Sequence, residues 1–133
     1  MKLDFSSLRQ AINSLDKAII RTKDAPADEE LRDAVIQRFE YTYELAFKMM
    51  KRQIEQESPD PSGIDRLSFK DILRTAAEKG IISDVAAWFV YRDQRNITSH
   101  TYDAQEAQSV YKTALEFFKD AKELLSNLEL RVS

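Results

Sequence analysis

Cysteine is absent, glycine occurs twice, proline three times and histidine once among the 133 residues. Without cysteine there can be no disulfide and no thiolate metal site, and a reducing compartment is the natural expectation. A single histidine cannot build a two-histidine zinc site either. Gly63 and Gly80 stand too far apart for a phosphate-cradling loop or a dinucleotide fingerprint. So little glycine and proline also leaves little material for the tight turns of an all-β fold. No apolar run approaches the roughly 20 residues that cross a bilayer. The opening MKLDFSSLRQ carries charges where a signal peptide has its apolar core, so a cytoplasmic protein is expected. An excess of positive charge is missing as well. The net charge of −3 and pI near 5.3 exclude a general, non-specific nucleic-acid binder. Any contact with RNA or nucleotide must come from a local cationic patch.

What is present is helical periodicity. The length suits one domain over residues 1–133, and the 43% hydrophobic share is enough for one core. Phe5, Leu8, Ile12, Leu15 and Ile19 recur three and four apart, predicting a first helix from Asp4 to about Arg21. Lys23 to Pro26 break it, with Pro26 suited to the first turn of the next helix. That second helix is expected from Ala27 to Glu57. Leu31, Val35, Ile36, Phe39, Tyr43, Ala46, Phe47, Met49, Met50 and Ile54 cover a wide arc of it. Such a face can serve more than one neighbour, as a central helix or as core and dimer interface together. Glu40 lies on the border of the arc, where an exposed edge residue is the plain expectation.

Ser58 to Gly63 is the clear loop. Ser68 with Asp71 predicts the N-cap of a third helix, closed by Gly80 at C′. A fourth helix is expected from Ser83 or Asp84 to about Arg95. Asp103 and Glu106 stand at capping-box spacing before the last helix. Its predicted inner face is Ala107, Val110, Tyr111, Ala114, Phe118, Ala121, Leu125 and Leu128.

The candidate site is the junction of the last two helices, Arg92 to Asp103. Val85, Trp88, Arg92 and Arg95 fall on one stripe that begins apolar and ends cationic. Arginine near a helix C-terminus complements the macrodipole by about 0.3–1 kcal/mol, which alone explains its presence. The neighbours add a second meaning. Asn96 reads as a left-handed C-cap, and His100 then falls close to the helix start that Asp103 caps. Free backbone N–H groups at such a start attract anions. Two arginines, one imidazole and a helix N-terminus therefore suit a phosphate.

Histidine titrates near neutrality, and arginine grips phosphate through paired hydrogen bonds. RNA carries its own nucleophile, the 2′-hydroxyl, so its cleavage needs chiefly positioning, proton transfer and charge stabilisation, with no metal or cofactor. Ser99, His100 and Asp103 are too close in sequence for a catalytic triad.

Arg95-Asn96 followed by His100 resembles the Arg-polar-x3-His signature of the HEPN superfamily. Arg38 to Lys48, Gly80-Ile81-Ile82 and Trp88 to Asp103 resemble, more narrowly, the nucleotidyltransferase substrate-binding protein family. The resemblance implies an all-α, up-and-down bundle of four long helices plus a short one, usually homodimeric. It also implies a minimal nucleotidyltransferase as partner. In the related toxin–antitoxin pairs the HEPN member cleaves RNA at a site built from both subunits. The transferase silences it by attaching AMP to a tyrosine two residues beyond the histidine. On that likeness Arg95 and His100 match the catalytic pair and Tyr102 the modified tyrosine; Arg92 and Asn96, from their place beside that pair, are expected as substrate contacts. Tyr102 reads equally as an aromatic packing near a helix start. The alternative function is a non-catalytic subunit that binds nucleotide or substrate for its transferase. A part for Glu40 and Glu44 stays open.

Overall fold

A computed structural model describes residues 3–98 and 103–132, with the Thr98 side chain left aside. Among them the chain forms six helices and no strand: α1 (Ser6–Asp24), α2 (Glu29–Glu57), α3 (Pro61–Ile64), α4 (Phe69–Glu78), α5 (Val85–Thr98) and α6 (Ala104–Val132). The four longer helices, α1, α2, α5 and α6, make an up-and-down bundle. Helix α4 packs on α5 and α2, and the single turn α3 lies on α2.

Each start has a local cause. Asp28 accepts from the Glu30 and Leu31 amides at 2.9 and 3.2 Å, so α2 begins after it. Pro26 is thus in the preceding turn, not in the first turn of α2, because the aspartate satisfies the orphan amides better than the proline ring can. Ser68 caps α4 by accepting from the Asp71 amide at 3.2 Å. Asp103 caps α6 by accepting from the Gln105 and Glu106 amides at 2.7 and 3.2 Å. Gly80 closes α4 with φ of 77°, a left-handed conformation that a Cβ would strain. The loop expected over Ser58–Gly63 is half helix. Pro61 supplies a preset φ at the first position of α3, and the Gly63 amide donates to the Asp60 carbonyl at 3.1 Å.

All five stripe residues of α1 are buried, as are Val35, Phe39, Tyr43, Ala46, Met49, Met50 and Ile54 of α2. On α6 the inner face is rotated from the expected one. Phe117 and Leu124 are fully buried, while Phe118 and Leu125 are only partly so. Phe117 is the hub of the core. Its ring meets Phe39 at 5.1 Å, Tyr91 at 5.3 Å and Trp88 at 5.7 Å, each nearly edge-on. Such pairs contribute about 0.5–1.5 kcal/mol each beyond the area they bury. They tie α5 to α2 and α6 and so fix the end of α5 in space.

Two tethers reinforce the arrangement. Glu57 at the end of α2 accepts from Arg131 Nε at 2.7 Å and Lys79 Nζ at 3.0 Å. Arg131 Nη1 also donates to the Lys79 carbonyl at 3.0 Å. Thr22, buried, shares a 2.7 Å hydrogen bond with the Tyr111 hydroxyl and so links α1 to α6.

Candidate functional site

Helix α5 carries the site. Asp84 accepts from the Ala87 amide at 3.2 Å and starts the helix. One turn on, Trp88 is buried against Phe117 and Tyr91. The stripe then turns cationic, as the sequence predicts. The Arg92 guanidinium lies 3.6 Å from the centre of the Phe69 ring, so α4 provides its floor. One turn further, Arg95 reaches α2. It donates to Glu44 in a short contact, and Glu40 lies 3.6 Å away.

These side chains surround a cleft of about 240 Å³ lined by Tyr43, Glu44, Phe47, Arg92, Arg95 and Asn96. Its back wall is aromatic, with Tyr43 stacked on Phe47 at 6.5 Å. Tyr43 is only 3% exposed, yet its hydroxyl has no hydrogen-bond partner among the described residues. The same is true of Arg92 Nε. Burial pushes the Tyr43 phenol up to about 12, against the pull of Arg92, so the hydroxyl keeps its proton and stands ready to donate. Buried polar groups are nearly always paired in a folded protein. The Arg92 side chain acts on the Tyr43 phenol without a well-formed hydrogen bond, so the two make a weakly paired polar spot at the back of the cleft that a ligand can complete.

Of the residues expected at the site, Arg92, Arg95 and Asn96 meet at this cleft. His100 and Tyr102 lie outside the described residues. Asn96 is not a left-handed C-cap. Gly80 is the only residue with positive φ among those described, and α5 runs through Asn96 to Thr98. The reason is that Ile97, one residue on, packs partly buried against the core, which rewards another turn of helix. Asn96 consequently faces the cleft from within the helix.

The other wall of the cleft comes from α2, where the sequence leaves a part for Glu40 and Glu44 open. Glu40, Tyr43, Glu44 and Phe47 are spaced three and four apart, a usable signal in retrospect. Tyr43 lies in the core and Phe47 packs against it, as the periodicity predicts, while Glu40 and Glu44 both sit against Arg95, one partly and one well exposed.

The fold belongs to one class. Residues 3–130 match the family described as "nucleotidyltransferase substrate binding protein like", and the chain belongs to that family. A curated relative from Haemophilus influenzae, named "Probable ribonuclease HepT", is 39% identical over 98% of this chain and 94% of its own. A solved structure from the same organism, described as the fold of a substrate binding domain of a nucleotidyltransferase, superposes with a TM-score of 0.89. It is 38% identical, covering 95% of this chain and 99% of that one. A crystal structure from Thermus thermophilus matches at 0.65 with 28% identity, covering 86% and 98%.

Proposed function

We propose that this protein is a metal-independent endoribonuclease that works beside a minimal nucleotidyltransferase, as the toxin of such a pair. The observation that carries the reading is the cleft at the end of α5. There Arg92, Arg95 and Asn96 line the same cleft as a buried tyrosine hydroxyl, and Arg95 stands five residues before the only histidine. The relative named as a ribonuclease supports the same reading.

In the proposed reaction Arg95 holds the scissile phosphate and stabilises charge developing on its oxygens, assisted by Arg92. Asn96 and the Tyr43 hydroxyl donate to the same group or its neighbour. The 2′-oxygen attacks phosphorus, the bond to the 5′-oxygen breaks, and a 2′,3′-cyclic phosphate results. His100 takes the 2′ proton, and the imidazolium of a second subunit gives a proton to the departing 5′-oxygen. A homodimer that pairs the two clefts supplies both imidazoles and doubles the local positive charge of an acidic chain. AMP attached to Tyr102 places bulk and negative charge beside His100 and shuts the site.

The test is expression and cleavage. His100→Ala is expected to abolish growth inhibition and cleavage of total RNA, leaving helix content and particle mass unchanged. Cleavage at the wild-type rate by that variant refutes the nuclease.

A second reading has one observation in its favour. Arg95 is already engaged by Glu44 and Glu40, a pairing that suits a binding subunit whose arginine is released only when ligand or partner arrives. It fits the neighbour described as a substrate binding domain. Its signature is stable co-purification with a transferase and no growth inhibition by this chain alone.

A further inference from the structure

A second concavity, of about 440 Å³, lies between α1 and α2. Gln10, Asn13, Ser14, Lys17, Arg21 and Arg38 line it. Three of the six are cations and none is a carboxylate, in a chain whose net charge is −3. Lys17 and Arg21 make no ion pair among the described residues. Arg38 is held in place, its Nη1 donating to the Ser14 carbonyl at 2.8 Å, so it arrives pre-positioned. Beside it stands Tyr41, 37% exposed, one of few large apolar side chains left at the surface. Its hydroxyl donates to Ser14 Oγ at 2.8 Å, which fixes the ring without burying it. Neither Arg38 nor Tyr41 has work in the core or in the cleft already described, although both belong to the segment that carries the family resemblance.

Arg38, Tyr41 and Glu44 are three residues apart on α2, so their side chains form one surface row with about 5–6 Å between successive Cβ atoms. That row leads from the groove to the rim of the arginine cleft. Unopposed cations, with an anchored and exposed aromatic ring between them and the cleft, are what binds a single strand of nucleic acid. Cations track phosphates and the ring stacks on a base.

We propose that the α1–α2 groove is a second, non-catalytic site for single-stranded RNA. Lys17, Arg21 and Arg38 take backbone phosphates and Tyr41 stacks a base, which leads the strand toward the Arg95 cleft. The proposal rests on the RNA-cleaving reading above. It adds that recognition extends beyond the scissile phosphate, so longer strands bind better than short ones. An acidic face of a partner protein is the other occupant such cations suit, but it gives Tyr41 no reason to be held open.

The test uses the full chain carrying His100→Ala, so that the probe survives, and fluorescein-labelled oligouridylates of three and twelve nucleotides. Affinity is read by anisotropy across a salt series. The twelve-mer is expected to bind at least tenfold more tightly than the three-mer. Lys17→Ala with Arg21→Ala is expected to remove most of that advantage and to lower the salt slope by about one to two. Tyr41→Ala is expected to weaken the twelve-mer by roughly fivefold or more, and Tyr41→Phe to restore it. All these positions are exposed or tolerant of the change, and a thermal melt checks the fold. If the groove variants match the parent while adding Arg95→Ala abolishes binding, the groove proposal is overturned and the cleft stands. If they match the parent on RNA but lose a co-expressed transferase, the groove is a protein-docking face and the proposal is again overturned. If the parent binds neither oligonucleotide, the RNA reading fails and the groove proposal with it.

Discussion

Arg95 of α5 donates to Glu44 of α2 at the mouth of a cleft whose other cation, Arg92, rests on the Phe69 ring. A phosphate entering the cleft must compete with that carboxylate for the guanidinium. Removing the competing charge while keeping the side chain's shape tests which partner the arginine prefers. Glu44→Gln is expected to raise affinity for a short oligoribonucleotide by roughly threefold. It should cost stability no more than the 0.2–1 kcal/mol or so of an exposed ion pair. Anisotropy and a urea melt measure both, and weaker binding by the variant would show that Glu44 helps to hold the substrate.

Tyr43 offers the reverse separation. Its hydroxyl has no well-formed protein hydrogen bond among the described residues, with only the Arg92 side chain acting on it, so Tyr43→Phe removes little protein hydrogen bonding. The variant is expected to be as stable as the parent or more so, by up to about 1 kcal/mol, because an unsatisfied buried hydroxyl is a cost. Binding of oligonucleotide is expected to drop several-fold. A variant that loses stability instead would place the hydroxyl in the fold and not in ligand recognition.

Acid stability is set in part by Glu57. Arg131 first, then Gln53 and Lys79, hold its carboxyl down to about 2 from an ordinary value of 4.5, against the opposing effect of burial. A depressed folded-state pKa contributes stability that is fully present above about 4.5 and is lost as pH falls toward 2. After discounting for solvent around these side chains, the contribution is about 1–2 kcal/mol. Urea melts of the parent and of Glu57→Gln should differ by that amount at pH 7. The two curves should converge as pH falls from 4.5 toward 2; a constant gap across that range would exclude the ion cluster as the cause.

Phe117 is the expected weak point of the core. Truncating it to alanine removes the edge-on partner of Phe39, Tyr91 and Trp88 together. The cost should be about 3–5 kcal/mol, read as a fall in the urea midpoint. Phe118→Ala, one residue away and partly exposed, should cost well under half of that.

The contrast between Phe117 and Phe118 shows where the sequence could be read and where it could not. Periodicity located α6 and its cap at Asp103, since a polar start and a three-four repeat are local properties. Which of two adjacent phenylalanines faces inward depends on how α6 is rotated against α2 and α5, and that is set by packing across the chain. Asn96 failed for a similar reason. Its local preference for a turn was overridden by the burial of Ile97. Gly80, with no competing contact, adopted the backbone its type suggests. At the site, the cationic stripe of α5 was legible because Arg92 and Arg95 share a helix face. Glu40 and Glu44 come from residues about fifty positions earlier, and only the aromatic core brings the two helices to that distance.

Tyr43 belongs to two structures at once. One side of its ring stands against Trp88 and Phe117 in the interior, and the other forms the back of the candidate cleft. The molecule therefore has no spacer between what keeps it folded and the cleft proposed to take a ligand. Variants selected for a different ligand would have to repack the interior with it, so homologues with new specificity should differ at Trp88 or Phe117 in step with Tyr43.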